Sequence, residues 1–159
     1  MVQELTARAK FVQEILQDKG YSSQVIELAE STRTAKDAAQ AIGCQVAQIV
    51  KSLIFTTRIT HKPVLVVASG SNRVNEKQLG TLIGEPIERA SPDFVRTHTG
   101  YAVGGVAPIG HPTPIQTFID QDLLQYTHIW AAAGTPFAVF QLTPQDLQKM
   151  TGGQVISII

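Results

Sequence analysis

Two features of this chain could do chemistry. One is residues 99–110, Thr99-Gly100-Tyr101-Ala102-Val103-Gly104-Gly105-Val106-Ala107-Pro108-Ile109-Gly110, with four glycines and a proline. Glycine lets a ligand come up to the main chain, while Pro108 fixes its own φ and biases Ala107 toward an extended shape. Such a loop can aim several N–H groups at one point, which suits the holding of a carbonyl oxygen or a phosphate. A tight structural turn is the other reading of the same residues. The second feature is Lys51, in Val50-Lys51-Ser52-Leu53-Ile54-Phe55, where a helical turn at 45–50 is expected to give way to an apolar strand. A lysine there either reaches into a cleft to meet an anion or snorkels from a strand end.

The remaining reactive side chains form no familiar constellation. His61, His98, His111 and His128 have no metal-ligand spacing and no H-E-x-x-H, so no metal is expected. His111, just past the loop, is placed to line a pocket there. His98 ends a helix, where its charge suits the negative pole, and His61 and His128 read as hairpin and strand-end residues. Ser69 and Ser71 flank Gly70 without making G-x-S-x-G, the Gly-Lys-Ser/Thr of a P-loop is absent, and residues 100–105 are not G-x-G-x-x-G. No cofactor is expected. Asp120 and Asp122 read as helix-start acids, and Trp130 as core. Cys44 stands alone, which excludes an internal disulfide and suits a small buried residue.

The elements that must position the loop and the lysine alternate. Leu5, Arg8, Phe11, Val12, Ile15 and Leu16 make a helical stripe that stops at Gly20. A strand is expected over 24–29. Thr34 caps a short helix over 35–42, with Asp37 as capping-box partner and Gly43 as its end. Strands 52–57 and 63–68 are joined by a polar hairpin at 58–62. Asn75 caps a helix to Ile83, closed by Gly84, and a short strand at 86–89 follows. Ser91-Pro92-Asp93 starts a helix that runs to about His98: cap, proline at the first position, then an acid near the positive pole. Beyond the glycine loop, strands are expected at 115–119, 129–133, 137–142 and 155–159, with a helical turn at Asp120 and a helix from Thr143-Pro144 to Gly152. The pattern is α+β, a mixed sheet with helices between some strands.

At 159 residues, 43% hydrophobic and 16% charged, the chain is expected to form a single domain over 1–159 with a real core. It holds no apolar run near the ~20 residues that span a bilayer, and its N-terminus is not a signal peptide, so a cytoplasmic location and no membrane partner are expected. The thirteen basic and thirteen acidic residues balance, but residues 51–96 hold seven of the basic ones against four acids. A protein that grips long nucleic acid is usually basic overall, so no DNA partner is expected and a short anionic end is the most this chain would hold.

Together, Lys51 in V-K-S-L-I-F, the T-G-Y-x-V-G-G-V-x-P-x-G loop and the late strand pair around Ala133-Gly134 resemble the YbaK / prolyl-tRNA synthetase-associated domain family. These are freestanding relatives of the insertion domain that edits mischarged tRNA in bacterial prolyl-tRNA synthetases. The resemblance runs from the first helix to the last strand. It implies a mixed, partly barrel-like sheet flanked by helices, and hydrolysis of the ester joining a wrong amino acid to the terminal adenosine of tRNA. It casts Lys51 as the anchor for the phosphate or ribose of that adenosine. Gly104, Gly105 and Pro108 match the family's G-x-x-x-P loop, whose N–H groups would hold the aminoacyl carbonyl and the developing oxyanion. Val106 and Ala107 within the loop, with His111, Gly134 and Thr135, would line the substrate. The expected partner is the acceptor end of mischarged tRNA, with tRNA(Pro) the leading carrier, and an aminoacyl-tRNA synthetase is a second candidate partner. The acid that follows the late glycine in some family members is absent from Ala131-Ala132-Ala133-Gly134-Thr135-Pro136-Phe137-Ala138. A small apolar wall there would admit alanine, 2-aminobutyrate, cysteine or serine. A non-catalytic module that binds an RNA end or a synthetase, and a small-molecule ester or amide hydrolase, are the rival readings.

Overall fold

A computed structural model describes residues 5–159. Its elements are α1 (Ala7–Asp18), β1 (Val25–Glu27), α2 (Ala35–Ile42), β2 (Ile49–Thr57), β3 (Pro63–Ser69), α3 (Glu76–Ile83), β4 (Ile87–Arg89), α4 (Pro92–Thr99), β5 (Gln116–Asp120), β6 (Ile129–Ala132), β7 (Ala138–Leu142), α5 (Pro144–Thr151) and β8 (Gln154–Ile156), with 3-10 turns at Val46–Gln48 and Gln121–Gln125. The eight strands form one mixed sheet in the order β1-β7-β6-β2-β3-β5-β8, with β4 also on β2.

Helix ends follow from local chemistry. The side chains of Thr34, Asn75, Ser91 and Thr143 accept the N–H of the residue three positions on, satisfying one orphan donor of each first turn. The strands follow from burial. β2 and β3 are antiparallel partners covered on both faces, which is why both read as nearly unbroken apolar runs. Val50, Ile54, Leu65 and Val67 face one core, which α1, α4 and the glycine loop complete. Phe55, Val64, Val66 and Ala68 face a second core with Leu79 of α3.

Three expectations shift. The helical turn ends at Gln48 and β2 begins at Ile49, because Ile49 and Val50 pair with Trp130 and Ala131 of β6. Lys51 is therefore the third residue of a strand rather than a boundary residue. The last strand is Gln154–Ile156, after which Ile158 turns in and its carbonyl accepts the Asn75 N–H at 2.6 Å. Trp130 is half-buried and packs on a side cluster of Ala38, Ala39 and Ile49 rather than in the main core.

One irregularity in the sheet matters most. β2 pairs with β6 only at Ile49 and Val50, and with β4 only over Phe55, Thr56 and Thr57. Between those ladders, at Lys51 to Leu53, β2 has β3 on one side and no strand on the other among the described residues. Gly70 donates to the Ile49 carbonyl, which sets the ladder phase: Lys51 and Leu53 bond to β3, and the Ser52 N–H and C=O face the gap.

Candidate functional site

A cleft of about 510 Å³ opens at this gap, well inside the range of small-molecule sites. Lys51, Ser52, Leu53 and Ile54 of β2 form its floor. Val103, Gly104 and Val106 of the glycine loop form one wall. Residues 32–36, entering α2, form another, and Ala132 of β6 with Val139 of β7 close a further side. Arg33, Lys36, Lys51 and Arg89 all line it and no carboxylate does, among the described residues. The ion pair found among the described residues, Arg58 with Glu88 at 3.9 Å, lies outside the cleft and involves none of the four. An apolar cleft rimmed by unpaired cations suits an anion attached to a small apolar body.

The Lys51 ammonium donates to the Asn72 carbonyl at 2.6 Å. Burial holds its pKa below the ordinary lysine value, Arg89 and Arg73 push the same way, and Asp120 opposes them. The Ser52 hydroxyl is buried with no hydrogen-bond partner among the described residues.

The glycine loop is a turn followed by a run of unpartnered donors. Gly105 N–H donates to the Ala102 carbonyl at 3.0 Å, which closes a turn over Val103 and Gly104. Gly104 has φ +90°, closed to most side chains, and its face lies on the Arg33 stem, where a Cβ would come within 3.2 Å of Cγ. Gly105 answers to a neighbour: a Cβ there would stand 2.9 Å from the Thr135 main chain. The N–H groups of Gly104, Val106 and Ala107 have no hydrogen-bond partner among the described residues. Orphan N–H groups are rare in protein interiors, and two of these residues, Val106 and Ala107, are buried. Pro108 has no N–H and ends the run.

Two side chains brace the loop from behind. The Tyr101 hydroxyl donates to the Ile109 carbonyl at 2.7 Å, and burial pushes its pKa up to about 12. His111 Nε2 lies 2.8 Å from the Ala107 carbonyl. Burial lowers the His111 pKa, against that bond. His111 does not line the cleft; its ring stands edge-on to Tyr101 at 6.2 Å. Gly134 and Thr135 do not line it either. They back the loop at Gly105, and the Thr135 hydroxyl caps its own turn by accepting the Phe137 N–H at 3.1 Å. Among the described residues no group of three or more His, Cys, Asp or Glu gathers as a metal would require.

Of the residues singled out in the sequence, the cleft brings together Lys51, Gly104 and Val106. Gly105, Ala107 and Pro108 continue the loop, and Gly134, Thr135 and His111 support it. Sequence reasoning passed over Arg33, Lys36, Ser52 and Arg89. The charge excess of residues 51–96 was a signal for Arg89; Arg33 and Lys36 lie outside that stretch and carried none.

A family model for the aminoacyl-tRNA editing domain matches residues 29–150. The chain belongs to that family. The chain is 29% identical over 133 residues to the uncharacterized protein YwhH of Bacillus subtilis, covering 84% of each chain. It is 27% identical over 139 residues to a candidate Cys-tRNA(Pro)/Cys-tRNA(Cys) deacylase, EbsC, of Enterococcus faecalis, covering 87% of this chain and 84% of that one. Among solved structures it is similar to a candidate trans-editing enzyme for prolyl-tRNA synthetase, with TM-score 0.91, 46% identity and 98% of each chain covered. The sheet and helices of the editing domain are those of that fold. The matched stretch 29–150 takes in every residue of the cleft and leaves out α1. No helix among the described residues is long and apolar enough to cross a membrane.

Proposed function

We propose that residues 1–159 act as one trans-acting aminoacyl-tRNA deacylase in the cytoplasm, removing a small mischarged amino acid from the acceptor end of tRNA, with tRNA(Pro) the leading carrier. One observation carries this reading: a single cleft holds a lysine with no ion-pair partner among the described residues on its floor, and on its wall a loop whose Gly104 and Val106 N–H groups are uncommitted. Lys51, with Arg33, Lys36 and Arg89 at the rim, meets the phosphates of the terminal nucleotides. The aminoacyl carbonyl turns to the N–H groups of Gly104 and Val106, which line the cleft. Water adds to the carbonyl carbon, and negative charge gathers on the oxygen those donors face. The tetrahedral species collapses with loss of the ribose oxygen, which takes up a proton; the products are the free amino acid and uncharged tRNA. An aminoacyl ester is already activated, so positioning and oxyanion stabilisation suffice. Val50, Val106, Ala132 and Val139 leave room for a small side chain and offer no charge to a larger polar one. The activities named for the relatives, deacylation of cysteinyl-tRNAs and trans-editing for prolyl-tRNA synthetase, support the same reading.

The test is loss of ester from tRNA(Pro) and tRNA(Cys) charged with alanine, cysteine, serine or 2-aminobutyrate. Turnover that falls by about 100-fold or more in Lys51→Ala, with thermal stability kept, is the expected result. Binding of charged tRNA without turnover would replace the enzyme with a binding module. Equal hydrolysis of simple esters by the wild type and Lys51→Ala would point to a small-molecule hydrolase.

A further inference from the structure

Asp120 is only 1% exposed, and the steps above make no use of it. One of its carboxylate oxygens accepts the Asp122 N–H at 3.0 Å, which is all that capping the 3-10 turn requires. The other reaches across to a distant turn just past β3, accepting the Ser69 N–H and the Asn72 side-chain amide, each at 2.9 Å. That amide's Nδ2 also donates to Asp122 at 2.7 Å, so two carboxylates hold it. The main chain of the same turn is tied down as well. Asn72 N–H donates to the Ser69 carbonyl at 3.0 Å, and Gly70 N–H to the Ile49 carbonyl at 2.7 Å. Gly70 of this turn lines the cleft, and the Asn72 carbonyl receives the ammonium of Lys51, which lines it too.

We propose that Asn72 and Asp120 are positioning residues for Lys51, fixing its ammonium through a main-chain carbonyl while leaving its charge unneutralised. The inference rests on the proposed role of Lys51 for its functional meaning. A carboxylate placed directly on Lys51 would cancel the charge that an anionic substrate needs. A carbonyl takes one of the three ammonium protons and leaves two donors for the cleft. The acids stand one residue removed, where charge-assisted bonds hold the turn. A lysine stem has much rotamer freedom to lose, and a fixed acceptor takes up that loss before substrate arrives.

The experiment uses the full chain and two variants. Asn72→Ala keeps the carbonyl and drops the amide, and Asp120→Asn removes the charge at nearly constant shape. Each is treated briefly with acetic anhydride at one pH, and acetylation of all seven lysines is read by mass spectrometry, with exposed Lys10, Lys19, Lys62 and Lys77 as internal references. Lys51 labelling should rise several-fold over the references in either variant that retains wild-type circular dichroism. In parallel, kcat/KM for deacylation should fall by about 10- to 100-fold as the anchor loses its position. Lys51 labelling equal to wild type in a folded variant would overturn the inference. The labelling needs no tRNA, so it decides the matter even if the deacylation assay is silent.

Discussion

Gly105 has no room for a side chain. Its nearest neighbours are the main-chain atoms of Gly134 and Thr135, which cannot swing aside as a flexible side chain would. Gly105→Ala should therefore destabilise the fold by about 1–3 kcal/mol, measured by urea unfolding, and should displace the loop from the cleft. Lys51 gives a second expectation. Burial and the facing arginines make the folded chain release the Lys51 proton at lower pH than the unfolded chain does. The unfolded state then binds more protons over that interval, so this group's contribution to stability rises with pH. Its use as an anion anchor runs the other way. Enzymatic deacylation, corrected for spontaneous ester loss, should fall on the alkaline side before ordinary lysines titrate, and the Lys51→Ala residual rate should lack that limb. Both residues could be singled out from their type and context. That Gly105 answers to Thr135 could not, because the contact joins segments thirty residues apart that only the fold brings together.

The hairpin between β2 and β3 shows how one side chain can hold an element. Glu85 accepts the Ile59 and Thr60 N–H groups, each at 2.9 Å, and the Thr60 hydroxyl at 2.8 Å. These bonds hold its pKa down at about 2. A carboxyl lowered in this way stabilises the hairpin above the ordinary glutamate pKa and loses that contribution as pH falls through the lowered value. At neutral pH, Glu85→Gln should speed amide exchange at Ile59 and Thr60, and the difference from wild type should shrink as pH approaches about 2. Helix ends were legible in advance because a cap is a contact between residues three apart: Thr34, Asn75, Ser91 and Thr143 all serve as read. The short strands were legible as strands, but the bounds of two of them were not. β1 and β8 have three residues each, and their bounds are set by partners far along the chain.

For the whole molecule, zero net charge conceals a cleft with four cations and no acid among the described residues. If those four are the phosphate contacts, binding of a deacylated acceptor-stem oligonucleotide should weaken with salt at a log–log slope of about −3 at most, read by fluorescence anisotropy. A steeper slope would mean that a larger surface grips the RNA.

Residue type and local spacing were enough to mark the glycine loop, Lys51, the helix caps and the mixed α/β pattern, since each depends on atoms a few residues apart. The gap in the sheet, the meeting of Arg33 with Gly104, and the path from Asp120 through Asn72 to Lys51 were settled only by tertiary structure. They depend on strand order and ladder phase, which sum weak preferences over the entire chain and leave no mark on any one stretch of it.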